Sequence, residues 1–230
     1  MKIFEQQEFR SVYDQDSGKV FSDMEFRKCR FVSCAISITV NPELRSTVRN
    51  VRIMNCEHVS GNLGPAIVED VLADGFKTNG LFQTWGAVFK HVTWRGMIGR
   101  VMLSPAVAPG RATKAQQEAF DNANATYYSE VDWALDLSEA EVEEIDIRGI
   151  PGRLIRRDPM TQVLITRANA ARGEWRRLNL SKTYWATCLQ EFLKDGEPAL
   201  VLVAPKRNKK FRDLLDGLKM LRDSGVAEPD

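Results

Sequence analysis

FRKCRFVSC (residues 26–34), VRNVRIMNC (48–56), VEDVLADGF (68–76) and FKHVTWRGM (89–97) share one pattern, apolar-x-x-apolar-x-apolar-x-x-apolar. Their first residues, Phe26, Val48, Val68 and Phe89, are 22, 20 and 21 residues apart. Self-similarity at a fixed period of this size marks stacked repeats, each burying one face on the next.

A finer period of five runs inside each copy. Apolar centres fall at Phe21, Phe26, Phe31 and Ile36, with Met24, Cys29 and Cys34 two places before the last three. A second run centres on Ile53, His58, Leu63, Val68 and Ala73, preceded by Val51, Cys56, Gly61, Ala66 and Val71. After a one-residue slip come Phe89 and Trp94, preceded by Ala87 and Val92. Five is neither the period of two of a flat strand nor the 3.6 of a helix. MEFRK (24–28), CRFVS (29–33), AIVED (66–70) and AVFKH (87–91) carry a bulky centre and a smaller residue two positions earlier. In this the chain resembles the pentapeptide-repeat family. The resemblance implies a mainly β fold: a right-handed parallel β-helix of square coils, both kinds of residue pointing inward. A two-residue slip at Asn41, Pro42 and Glu43 implies a loop thrown out of one coil.

The register resumes at Val142, Ile145, Ile147 and Ile150, which repeat the signature 53 residues after Phe89. One coil plus an insertion from Ser104 to about Tyr128 accounts for that spacing; a chance match of four positions is the alternative. The insertion opens with SPAVAPGRA (104–112). Its centre, TKAQQEAFDNANA (113–125), predicts a short helix with Thr113 as N-cap and Gln116 three residues on. The repeat region is therefore assigned to residues 1–157, with the insertion near 104–128.

Residues 158–230 follow another grammar. Gln162 to Thr166 and ALVLVA (199–204) read as strands. Tyr184, Cys188, Leu189 and Phe192 form one helical face, ended by Asp195-Gly196, and Phe211, Leu214, Leu215, Leu218 and Leu221 form another. The order strand-helix-strand-helix predicts a small α/β unit whose simplest job is to cap the open end of the coils.

With 230 residues, a net charge of +1, no eighteen-residue apolar run and an opening MKIFEQQEF that turns charged at once, the chain is expected to be cytoplasmic, with no membrane partner. The four cysteines do not form a secreted disulfide framework, and no CxxC supports zinc. Cys34 and Cys56 are placed at equivalent positions of adjacent coils, where small core fillers are expected.

Catalytic signals are few, and the chain is not expected to be an enzyme. His58 falls at an inward centre, where a hydrogen-bonded core imidazole is the plain expectation; His91 falls between inward positions and should face solvent. Neither has a nucleophile or carboxylate partner nearby in sequence, although distant residues can converge in the fold. No GxxxxGK[ST], GxGxxG, GxSxG or HExxH occurs, so no cofactor or metal is expected. The acidic run of Glu139, Glu141, Glu143, Glu144 and Asp146 alternates with apolar residues and reads as the solvated face of a strand.

Two features point outward. Arg207, Lys209 and Lys210 of PKRNKK (205–210) precede the last helix, where cations oppose the helix dipole and anions are favoured, so they are candidate anion-binding residues. The plainer reading is solubilising charge balanced by Asp213, Asp216 and Asp223. Trp85 and Trp175 are the tryptophans expected to be exposed; with Arg111 and Lys114 of the insertion they are candidate protein-binding residues.

Three classes of function follow. The first is a non-catalytic protein-binding protein of immunity, antitoxin or adaptor type, presenting a rigid sheet surface and an adaptable inserted loop. The second is nucleic-acid binding through the basic C-terminal patch. The acidic DNA mimicry known among pentapeptide-repeat proteins is disfavoured, because charges in the first hundred residues nearly cancel. The third is an enzyme with its site beyond the carboxyl ends of the C-terminal strands, at Val203 to Asn208. The oligomeric state and the partner's identity are not legible in the sequence.

Overall fold

The fold is taken from a computed structural model describing residues 1–229. It forms two compact units, residues 1–150 with 154–156, and residues 151–153 with the chain from Arg157 onward.

The first unit is built on one thirteen-stranded sheet curled round an axis, with every strand pairing parallel. Its strands are β1 (Lys2–Glu5), β2 (Glu8–Arg10), β3 (Tyr13–Gln15), β4 (Val20–Arg27), β5 (Arg30–Ile38), β6 (Thr47–Met54), β7 (Glu57–Leu63), β8 (Ile67–Asp74), β9 (Lys77–Thr78), β10 (Leu81–Trp85), β11 (Val88–Ser104), β12 (Leu135–Ile147) and β13 (Ile155–Arg156). On one side Phe4, Phe26, Ile53, Ala73 and Trp94 stand in a single row, and Met24, Val51, Val71, Val92, Leu135 and Ile155 in the next. Parallel pairing puts like residues over like, so apolar centres at a fixed period become continuous stripes. The Phe4, Phe9, Phe26 and Phe31 rings stack or meet edge-to-face at 5.0–5.6 Å.

The five-residue period is written into the backbone. Left-handed residues recur at Gln6, Ser11 and Asp16, at Asp23, Lys28 and Ser33, at Asp70, Gly75 and Gly80, and at Gly86, His91 and Gly96. Asp23, Asn50, Asp70 and His91 occupy the same point of four laterally paired strands, β4, β6, β8 and β11, with φ of 57°, 50°, 53° and 53°. Asn, Asp and His are the non-glycine residues most tolerant of that region, which explains why the corner is polar.

Three expectations about register need correction. The row through Phe4, Phe26, Ile53, Ala73 and Trp94 advances by 22, 27, 20 and 21 residues, so the second step is 27. Phe26 therefore stacks on Ile53, not Val48. The excess sits in the expected loop, where a 3-10 turn, Pro42–Leu44, is capped by the Asn41 side chain. A pattern of period five cannot distinguish 22 from 27. For the same reason Cys34 lies over Gly61, whereas Cys29 is the neighbour of Cys56: the Cys29 N–H donates to the Cys56 Sγ at 3.3 Å. Both thiols are buried and free, and burial pushes the Cys56 thiol up to about 11, making it inert. Finally, β12 continues the sheet as another layer, but Val142 pairs with Ile98 rather than standing over Phe89.

The inserted segment forms α1 (Lys114–Ser129), with the Thr113/Gln116 capping box in place. It is a docked helix and not an adaptable loop. Phe120 and Tyr128 are buried, and the Tyr128 hydroxyl accepts from the Phe89 N–H at 3.2 Å. Arg45 donates to the Asn124 Oδ1 at 2.5 Å and lies 4.6 Å from the Phe120 ring centre. Burial lowers the Arg45 guanidinium to about 10.

The second unit holds an antiparallel pair, β14 (Gln162–Thr166) and β15 (Ala199–Val203), with helices α2 (Arg167–Ala171), α3 (Trp185–Asp195) and α4 (Phe211–Asp223). Val163, Ile165, Leu189, Phe192, Leu214 and Leu218 form the heart of its core. Arg167 donates to the carbonyls of Phe192, Leu193 and Glu197 at 2.7–3.0 Å, a cation closing the C-terminal end of α3. Among the described residues, no helix is long and apolar enough to cross a membrane.

Candidate functional site

The curl of the first unit encloses an apolar cavity of about 340 Å³. Its walls are the inward rows, from Phe4 and Phe9 in the first coil to Phe89 and Trp94, and no carboxylate, lysine or arginine lines it. Val12 lines it too and is 46% exposed, so the interior opens at the first coil. The polar groups in the wall are His58, Asn62 and Thr84. His58 is inward as expected and 5% exposed, both ring nitrogens being covered, with the Gly61 backbone beside the ring. Phe82 meets its ring edge-on at 4.8 Å. Burial depresses its basicity, so it is neutral at pH 7.

The first coil is also the sheet's edge. β1 pairs only with β4, β2 only with β5 and β3 only with β5, leaving their other flanks without a strand. Of eight large apolar side chains exposed among the described residues, four lie in this first stretch, Met1, Ile3, Val12 and Tyr13, and a fifth, Val20, opens the next strand, β4. Lys2, Glu5, Glu8 and Arg10 give the first coil two charges of each sign.

A further cluster escaped the sequence reading. His91 is only partly exposed, and it lies between two carboxylates, Nδ1 to Asp70 at 3.2 Å and Nε2 to Asp132 at 2.6 Å. Its ring sits 4.8 Å from that of Trp133, on which Arg156 stacks at 4.1 Å. The signal was available: Asp70 and His91 are one coil apart at the same left-handed corner. Asp132 comes from beyond the insertion and had none. With both ring nitrogens committed to carboxylates, the cluster ties coils together and leaves no nitrogen for proton transfer to a substrate. The acidic run behaves as a strand face, with Glu144 paired to Arg100 at 2.7 Å and Asp146 to Arg148 at 3.0 Å.

The residues singled out beforehand are scattered. Trp175 is 2% exposed, its indole N–H donating to the Ala170 carbonyl at 2.9 Å inside the second unit's core. The polar neighbours Glu174, Arg176 and Arg177 disguised it, because a single 3-10 turn points one of four side chains inward. Trp85, on β10, is half-buried. Arg111 and Lys114 are exposed near the start of α1, with Lys114 3.6 Å from Glu118.

Arg207, Lys209 and Lys210 are exposed before α4. There the Asn208 side chain accepts from the Lys210 N–H at 2.9 Å, and Asp213 already supplies a negative charge in the first turn. The argument for a ligand site at Val203 to Asn208 required parallel strands. β14 and β15 run antiparallel, so their carboxyl ends lie at opposite ends of the pair and the premise fails.

The chain matches no family model, no curated protein and no solved structure.

Proposed function

We propose that this chain is a non-catalytic protein-binding protein and that its first coil is the contact surface. The observation that supports this reading is the coincidence of strand flanks that no other strand covers with four of the eight large apolar side chains exposed among the described residues. Exposed strand edges template further pairing, and proteins usually blunt them with charge, proline or a covering element. Here the edge carries Lys2, Glu5, Glu8 and Arg10, yet keeps apolar Ile3, Val12 and Tyr13 exposed beside them. The partner is an extended segment of another protein that adds to β1–β3 as a strand, its backbone supplying affinity and its alternate side chains meeting the apolar ones.

The proposal includes a finer architecture, a closed right-handed β-helix of the pentapeptide-repeat kind. It is supported by the five-residue spacing of left-handed corners and by main-chain bonds climbing a further side: Thr47 N–H to the Lys19 carbonyl, Ile67 to Ser46 and Val88 to Ala66, at 2.8–3.0 Å. A crystal structure with an open seam near residues 40–46 and 64–66 contradicts closure.

The experiment is a comparison of wild type with Ile3→Lys and Tyr13→Lys, both exposed and outside the core. Protein retained from native lysate by the wild type and lost by both variants, with slowed amide exchange in β1–β3 of the complex, supports the reading. Retention indifferent to both substitutions overturns it. A wild-type dimer that either lysine dissociates identifies the occupant as a second copy. The alternative, anion or nucleic-acid binding through Arg207, Lys209 and Lys210, predicts instead a partner lost with salt or nuclease and with Lys209→Glu/Lys210→Glu.

A further inference from the structure

Protein interiors are packed like organic crystals, with few voids larger than a water molecule. The interior of the curled sheet departs from this. Its cavity of about 340 Å³ is well beyond the ~150 Å³ that accommodates benzene in an engineered protein core, and it lies within the range of small-molecule sites. The departure is visible residue by residue. Phe4, Phe9, Phe26, Phe31, Phe76 and Phe82 all line the cavity, and all remain partly exposed although they point inward. A small residue widens it: Ala73 stands where the neighbouring strands carry Ile53 and Trp94.

The chemistry of the wall selects the occupant. Without a charged lining residue, an ion would lose its hydration and receive nothing in return. Aromatic and aliphatic side chains reward apolar surface. His58 is neutral and its nitrogens are covered, so it supplies no counter-charge. Entry is at the first coil, where Val12 is both cavity wall and solvent-exposed.

We propose that the interior of the curled sheet is a binding site for an uncharged, apolar small molecule larger than a single aromatic ring. The site is separate from the strand edge proposed for protein binding and stands whether or not that edge binds a partner.

The probe is 2-naphthol, with 2-naphthalenesulfonate as its charged counterpart, titrated into the intact wild-type chain. The expected result is saturable binding of 2-naphthol, at least ten-fold weaker binding of the sulfonate, and movement of the His58 ring resonances with the same midpoint. The two histidines make this assignment direct, because His91 lies outside the cavity and should not move. Ala73→Leu, which extends a side chain into the cavity, should weaken 2-naphthol binding at least ten-fold. No saturable binding, equal affinity for the sulfonate, or binding that leaves His58 unmoved overturns the proposal. The His58 readout uses the wild type alone, so it decides the matter even where Ala73→Leu fails to fold.

Discussion

Asp14 shows how one buried carboxylate organises a corner. It accepts from the Ser17 hydroxyl, from the Ser46 hydroxyl at 2.5 Å and from the Ser37 N–H at 3.0 Å, binding the first coil to the loop of the second. Burial pushes its carboxyl up, but these three donors outweigh that and hold it below the usual carboxylate range. Its stabilisation is therefore present above about pH 3.9 and is lost as pH falls through the lower folded value. Asp14→Asn keeps the shape but turns an acceptor into a donor facing donors. A loss of about 2–3 kcal/mol in urea unfolding at pH 7 is expected, and a loss below about 0.5 contradicts the assignment. His58 works in the opposite sense. Its folded basicity is depressed, so from about pH 6.5 downward the unfolded chain takes up a proton that the folded chain resists. Stability should fall as pH drops from about 6.5 to 5 and be flat above. Denaturation of His58→Leu over the same range should lack that slope; His91, common to both proteins, cannot account for the difference. Inward placement of His58 was legible from the period of five, whereas what stands over its ring nitrogens was not. Whether a buried nitrogen finds a donor or acceptor depends on which residue stands over it, and that is set by register.

Among elements, α1 is the one whose existence sequence reading captured and whose role it missed. The capping box is local, a matter of Thr113 and Gln116 alone, and so can be read directly. Docking depends on Arg45 and Phe89, which come from a loop and a strand far away in sequence. Phe120→Ala should cost about 3–5 kcal/mol, as for any large ring removed from a core. Tyr128→Phe leaves the Phe89 N–H buried without its acceptor and should cost about 1–3 kcal/mol. If both variants melt with the wild type, α1 is a loosely held insertion after all. Register errors have the same origin. The period of five is local, while the number of residues between stacked positions is a global property, and the extra residues near Pro42 change which residues of β6 and β7 meet β4 and β5. In the second unit, the antiparallel sense of β14 and β15 was equally hidden, since an apolar run such as ALVLV carries no direction.

At the scale of the whole first unit, stability is set by how its parallel strands stack. Each coil contacts only its neighbours, so its resistance to opening depends on whether it has one neighbour or two and on how well the shared row is packed. β6 and β8 lie between coils on both sides, and β11 is held by β8, β10 and β12. β1, β2 and β3 each have a single neighbour and present partly exposed Phe4 and Phe9 to the open end. Exchange protection should therefore rise from β1–β3 through β4 and β5 to a maximum at β6, β8 and β11. The same gradient links the two proposed sites, because the weakest coil is both the mouth of the cavity and the free edge. A strand added to that edge gives β1–β3 the second neighbour they lack, and an apolar molecule in the cavity gives Phe4 and Phe9 new contacts. Hydrogen exchange read strand by strand separates these effects. 2-Naphthol should slow exchange in coils whose side chains line the cavity, β6 and β8 included. A partner on the edge should slow β1–β3 first, and most. Uniform protection across the unit in the free protein would mean that the coils open together, and the first coil would then have no claim to be the yielding end.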